Sequence, residues 1–226
     1  MADQAKSTVC LKTPLHESKP LVDSVKAYVE KYMSRFDGSH DFEHILRVLG
    51  LAKYILAETQ QDGQRGLDET AIYLAALLHD VGDHKYAQPG EDPEKQIVNV
   101  LLERGASAAL ASKVHTIVKN VSYTNEIRDA EKVREALLEH PELGIVQDAD
   151  RIDAIGAIGV GRCFTFGAAK APERGMQGTV DHFEEKLVRL EAMMKTESGR
   201  RLAKERTERL KVFRSWWEEE RSFADS

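Results

Sequence analysis

Apolar residues return every three or four positions along most of the chain, the period of a helix that buries one face. Leu21, Val25, Val29 and Tyr32 predict a first amphipathic helix that ends before Asp37-Gly38. A second begins around Ser39–Asp41 and carries Ile45, Val48, Leu49, Ala52, Ile55 and Leu56 on one stripe. Residues 60–67, with Gly63 and Gly66, predict a loop, after which Asp68 caps a third helix running through Ile72, Ala75, Ala76 and Leu78 to His79-Asp80. Gly82 ends that helix, and residues 83–93, with Pro89-Gly90 and Pro93, predict a polar loop. Helices follow over 94–104 and over 107–121, the latter capped by Ser107.

The charged stretch 122–140 predicts a lid with a short helix around Val133–Leu138. Residues 146–159 then form an apolar, small-residue helix into which Asp148, Asp150 and Asp153 are set, with Gly156 and Gly159 permitting close packing. A Gly-containing loop at 167–178 leads to a helix marked by Val180, Phe183, Leu187, Leu190 and Met194, and a last long helix spans about 198–222. No alternating run or hairpin dipeptide argues for a strand. The expectation is an all-α, compact bundle of roughly eight helices in one domain over residues 19–222, behind a flexible tail at 1–18.

A chain of 226 residues holds one well-cored domain, and two would be small. The net charge of −6 argues against a broad surface for polymeric nucleic acid, but admits a small anion held by a metal and a few Lys or Arg. The basic residues from Arg200 to Lys211 alternate with Glu205 and Glu208, as on a solvated helix face. Residues 1–19 contain no apolar core of a signal peptide, and no window reaches the length of a membrane span. Cys10 and Cys163 show no pairing logic and read as free thiols. A cytoplasmic protein without membrane partners is expected, and a homodimer through exposed apolar helix faces is compatible with the pattern.

The adjacent His79 and Asp80 sit at the end of a greasy helix, where a buried imidazole and carboxylate are costly unless something pairs with them. A divalent metal takes one nitrogen and one oxygen from such a doublet. His44 and Asp150, also embedded in apolar helices, are candidates for the remaining ligands. His40 is an alternative to His44, since the two share a helix face at i, i+4, and Asp148 is the rival of Asp150.

These residues resemble the H…HD…D signature of the HD-domain metal-dependent phosphohydrolases. The likeness extends to Ser39-His40-Asp41-Phe42-Glu43-His44-Ile45-Leu46-Arg47-Val48, to Leu78-His79-Asp80-Val81-Gly82-Asp83 and to the run from Asp148 to Gly159, over roughly residues 20–215. It is similar to a bacterial-type subgroup associated with nucleotide pyrophosphatase or phosphohydrolase activity. The resemblance implies His44, His79, Asp80 and Asp150 as metal ligands, with His40 at the cavity mouth. Two imidazoles and two carboxylates suit Mn²⁺, the expected ion, and also Mg²⁺, Co²⁺, Ni²⁺ or Fe²⁺. Such an ion polarises a phosphoryl oxygen and lowers the pKa of a bound water.

Asp83, four residues from His79 and three from Asp80, is the candidate proton-handling carboxylate, with His40 beside it. Lys85 is a candidate phosphate contact. Arg47 is either a substrate contact or, like Arg151, a support paired with an acidic side chain. Ser122-Tyr123 resembles a short family motif beside the pocket. The implied activity is hydrolysis of a small phosphate ester or anhydride, with a nucleoside triphosphate cut to monophosphate and pyrophosphate as the favoured version. The rivals are a di-iron oxygenase of the same fold, which needs further histidines from among His84, His115 and His140, and a non-catalytic nucleotide or metal sensor.

Overall fold

The computed structural model describes residues 15–35, 38, 40–82 and 93–225, and among them there are helices and turns but no strand. The helices are α1 (Leu15–Met33), α2 (Phe42–Gln61), α3 (Glu69–Leu78), α4 (Pro93–Glu103), α5 (Ala108–Lys119), α6 (Tyr123–Arg128), α7 (Ala130–Glu139), α8 (Glu142–Asp153), α9 (Gly156–Lys170), α10 (Gly175–His182) and α11 (Glu197–Arg221). The all-α expectation holds, with more and shorter helices than the periodicity suggests.

Three helix starts are fixed by side chains that accept the otherwise unpaired N–H groups of the first turn. Asp41 accepts from the His44 N–H at 2.9 Å, Asp68 from Ala71 at 3.0 Å, and Ser107 from Leu110 at 3.2 Å. The most apolar of the helices, α3, is buried from Thr70 to Leu78 except at Tyr73. A helix hydrophobic on all sides has to lie at the centre. Here α1, α2, α5 and α8 surround it, so whatever follows Leu78 is delivered to the floor of the bundle.

The structure departs from the sequence expectation in four places. Helix α1 begins at Leu15, within the stretch expected as tail, and Ser18 is already buried. The charged stretch 122–140 forms two helices, because Asp129 accepts from Lys132 N–H and α7 buries Val133 and Ala136. The helix expected over 146–159 is broken after Asp153: Gly156 adopts φ +75°, a left-handed conformation, and α8 and α9 meet at a bend of 71°. Finally, α9 continues to Lys170, and the segment to Met194 is a succession rather than one helix. A 3₁₀ turn at Pro172–Arg174 precedes α10, which passes through a π turn at Phe183–Leu187 into a 3₁₀ stretch at Val188–Met193. Through these changes of pitch Phe183, Leu187, Leu190 and Met194 all stay buried.

The start of α11 is docked on Asp148. This fully buried carboxylate accepts from the N–H groups of Lys195 and Thr196 and from the Thr196 hydroxyl, each at 2.8 Å, while Thr196 Oγ1 caps Gly199 N–H at 2.9 Å. Gly199 lies directly against the carboxylate, where a Cβ would collide with Asp148 Oδ2. Near the far end of α11, Phe213 and Trp217 pack on Phe164, and the Trp217 N–H donates to Gln177 Oε1 at 2.8 Å. Trp216 stays largely exposed. Among the described residues no single helix is long and apolar enough to cross a membrane.

Candidate metal centre

Four polar side chains converge at the end of α3. His44 stands one turn into α2, His79 and Asp80 follow the last residue of α3, and Asp150 comes from α8. His44 Nε2 lies 3.1 Å from His79 Nε2, 3.4 Å from Asp80 Oδ2 and 3.6 Å from Asp150 Oδ1. His79 Nε2 in turn lies 3.5 Å from Asp80 Oδ1 and 3.6 Å from Asp150 Oδ1. Both imidazoles are almost completely buried, and the two carboxylates are partly open.

The outer nitrogens of the two rings decide what the inner ones offer. His44 Nδ1 donates to Asp153 Oδ2 at 2.8 Å, and His79 Nδ1 donates to the Ala76 carbonyl at 2.9 Å. Each Nδ1 faces an acceptor and so carries a hydrogen, which leaves the lone pair of a neutral ring on Nε2. Two lone-pair nitrogens and two carboxylates therefore face one point. Asp80 Oδ2, buried there, has no hydrogen-bond partner among the described residues. A donor set of this kind could hold a divalent cation, and His44, His79 and Asp150 offer ligand atoms all within 4.8 Å of one another.

The titration of the cluster says the same. Burial pushes the His44 imidazole down, but the bond to Asp153 and the Asp80 carboxylate 3.4 Å away outweigh it and hold its pKa at about 9. Burial pushes the Asp80 carboxyl up, yet the charges of His79 and His44 keep it well below the usual carboxylate range. A proton on His44 is the least cation that satisfies these groups, and a divalent ion would replace it.

Asp153, completely buried, is the support beneath His44. It accepts from Arg47 Nε at 2.8 Å, from Arg47 Nη2 at 3.2 Å and from Arg162 Nη1 at 3.2 Å. Burial raises its carboxyl, but the bonds from His44 and Arg47 and the Arg162 charge bring the pKa to about 2. Carboxylate-backed imidazoles of this kind are stronger and better oriented ligands.

The other candidates divide. Asp148, the rival of Asp150, is spent on the start of α11 as described. His40 lies beside the cluster, its ring centroid 6.2 Å from that of His44. Arg47 is directed to Asp153, the supporting role rather than the substrate one. Arg151 is fully buried and donates to Glu126 Oε2 at 2.6 Å, in a network with Lys195 and Gln147 that ties α6 to α8. Ser122 and Tyr123 open α6, where the Lys186 ammonium stands 5.0 Å from the Tyr123 ring centroid. His115 and His140 do not join it. Asp83 and Lys85 lie outside the described residues.

The sequence alone presents Asp153 as no more than the third aspartate set into an apolar helix. Its i, i+3 spacing from Asp150 was the available signal, since such residues share a helix face. Arg162 and Phe166 reach the site from α9, and no local pattern announces them.

Residues 41–155 match the HD domain family. The chain is 33% identical over 188 residues to the uncharacterized protein YpgQ of Bacillus subtilis, a span of 81% of this chain and 85% of the relative. A crystal structure of YpgQ in complex with ADP superimposes with a TM-score of 0.70 at 30% identity, covering 88% of this chain and 94% of that one. An HD-superfamily hydrolase from Bacillus thuringiensis superimposes with a TM-score of 0.65 at 27% identity, covering 90% and 97%. In its ordered histidines and aspartates, its helical fold and its relatives, this chain belongs to the HD-domain family.

Proposed function

We propose that this protein is a cytoplasmic, metal-dependent phosphohydrolase that cleaves a small phosphate ester or anhydride, with a nucleotide as substrate. The observation that carries this reading is the convergence of His44 Nε2, His79 Nε2, Asp80 and Asp150 on one point, with Asp80 Oδ2 lacking a hydrogen-bond partner among the described residues. The HD-superfamily hydrolase among the similar structures supports the reaction class, and the ADP held by YpgQ supports a nucleotide. Cleavage of a nucleoside triphosphate to monophosphate and pyrophosphate is the favoured reaction.

In this reading His44, His79, Asp80 and Asp150 hold a divalent ion, with Mn²⁺ the expected one. When bound, the ion supplies Lewis-acid polarisation of a phosphoryl oxygen and a lowered pKa for water. Asp153 holds the His44 ring in orientation and keeps its proton on Nδ1. Arg47 and Arg162 keep Asp153 ionised, so that it remains an acceptor. The Ala76 carbonyl does the same for His79. His40 stands at the mouth, in reach of an incoming phosphate. Asp83 is assigned the proton transfer, Lys85 a phosphate contact, and Ser122 and Tyr123 a further substrate contact.

The test is a nucleotide panel with Mn²⁺, Mg²⁺, Co²⁺ and Ni²⁺ in which phosphate and pyrophosphate release are separated. Turnover that requires metal and is lost in His79→Ala and Asp80→Ala is the expected result. Bound metal without turnover on any nucleotide would reject it and favour a sensor.

A further inference from the structure

Helix α9 presents an ordered face to the mouth of the metal centre. Arg162 reaches down to Asp153 Oδ2 beneath His44, which fixes the rotation of the helix. Phe166 lies four residues further on, hence on the same face and one turn higher. Its ring centroid is 6.0 Å from that of His40, which is in turn 6.2 Å from that of His44. Phe166 is nevertheless 41% exposed. Its neighbours on the other faces of α9 and along α11, Phe164, Phe213 and Trp217, pack against one another.

A large aromatic ring that meets His40 on one side and stays 41% exposed beside a polar, charged centre offers open π surface to a ligand. From this placement we propose that Phe166 is the wall on which the nucleobase of the substrate stacks, with His40 between base and phosphates. The inference rests on the hydrolase reading for the identity of the substrate. Its chemistry is general. Any base has a π face, so a single aromatic wall favours nucleotides over bare polyphosphate without choosing strongly among bases. The phosphates then extend from Phe166 past His40 toward His44, and the hydrolysed bond is placed by the distance of the base from the metal.

The experiment compares equilibrium binding of ADP and of inorganic pyrophosphate, both with Mg²⁺, to the full chain and to its Phe166→Ala and Phe166→Tyr variants. ADP binding is expected to weaken about tenfold in Phe166→Ala and to survive in Phe166→Tyr, with pyrophosphate binding unchanged in both. Equal weakening of ADP and pyrophosphate, no weakening of ADP, or no ADP binding by the parent chain would overturn the proposal. Release of phosphate from inorganic tripolyphosphate, measured in parallel and lost in His79→Ala, separates the two readings. If it persists, the hydrolase stands even where the stacking wall falls. If it and nucleotide turnover are both absent while Phe166-dependent ADP binding remains, the wall stands without the hydrolase.

Discussion

Asp153 accepts a hydrogen bond from the outer nitrogen of the His44 ring across 109 positions of sequence, at 2.8 Å. The pair joins α8 to α2 beneath the cluster and sets the direction of the His44 lone pair. Replacing Asp153 by Asn removes the charge while keeping the shape. Metal affinity is expected to fall about ten- to hundredfold. Folding should also weaken by about 3–5 kcal/mol, because Arg47 and Arg162 are left facing a neutral amide. Mn²⁺ titration and urea unfolding measure the two effects separately.

A ligand that binds only the folded chain raises its stability by mass action. At a hundred times its dissociation constant, Mn²⁺ should add about 2.7 kcal/mol. For a chain of this length that corresponds to a melting shift of about 5–10 °C. The shift should vanish in Asp80→Ala, which removes the inward oxygen Oδ2 that has no hydrogen-bond partner among the described residues. A shift of equal size in the variant would place the ion elsewhere.

Glu126 gives the acid side of stability. Burial raises its carboxyl, but the Lys195 ammonium and the Arg151 guanidinium outweigh that and hold its pKa below the ordinary 4.5. A carboxyl depressed in the folded state stabilises fully above its unfolded pKa and loses that contribution as pH falls through the lower folded value. Between pH 6 and pH 3 the melting temperature of Glu126→Gln should therefore fall less steeply than that of the parent. Parallel curves would contradict this role.

The corner between α8 and α9 depends on Gly156 at φ +75°. An alanine there adopts a left-handed conformation at a cost of about 1–2 kcal/mol, and its Cβ meets the Arg206 stem at 3.1 Å. Urea unfolding should report that loss. Because Arg162 and Phe166 ride on α9, ADP affinity is expected to fall along with stability.

How much of this was readable in the chain follows from what each feature depends on. Caps at Asp68 and Ser107 are local, and they stand where the sequence puts them, while Asp41 caps α2 within the start expected over Ser39–Asp41. The order His44, His79-Asp80, Asp150 is legible because each polar residue interrupts an apolar helix. Between Asp148 and Asp150 the residues alone offered no choice. It is made by the α11 start, which lies 47 and 48 positions away and takes Asp148. The bend at Gly156 was hidden because glycine serves equally for close packing and for a positive φ. Within 122–140, α7 contains the short helix expected around Val133–Leu138, whereas α6 was hidden because it is tied down through Glu126 by Arg151 and Gln147 on α8. Phe166 looks like any core phenylalanine until the fold leaves it open.

Gly199 and Asp148 occupy the same small volume, one as an absent side chain and the other as a carboxylate. Neither position is free to vary alone in descent. A lineage that enlarged residue 199 would first have to surrender the acid at 148, and with it the docking of the last helix. The two sites are thus expected to drift as a linked pair, a historical constraint imposed by packing and independent of the chemistry two residues further along the same helix.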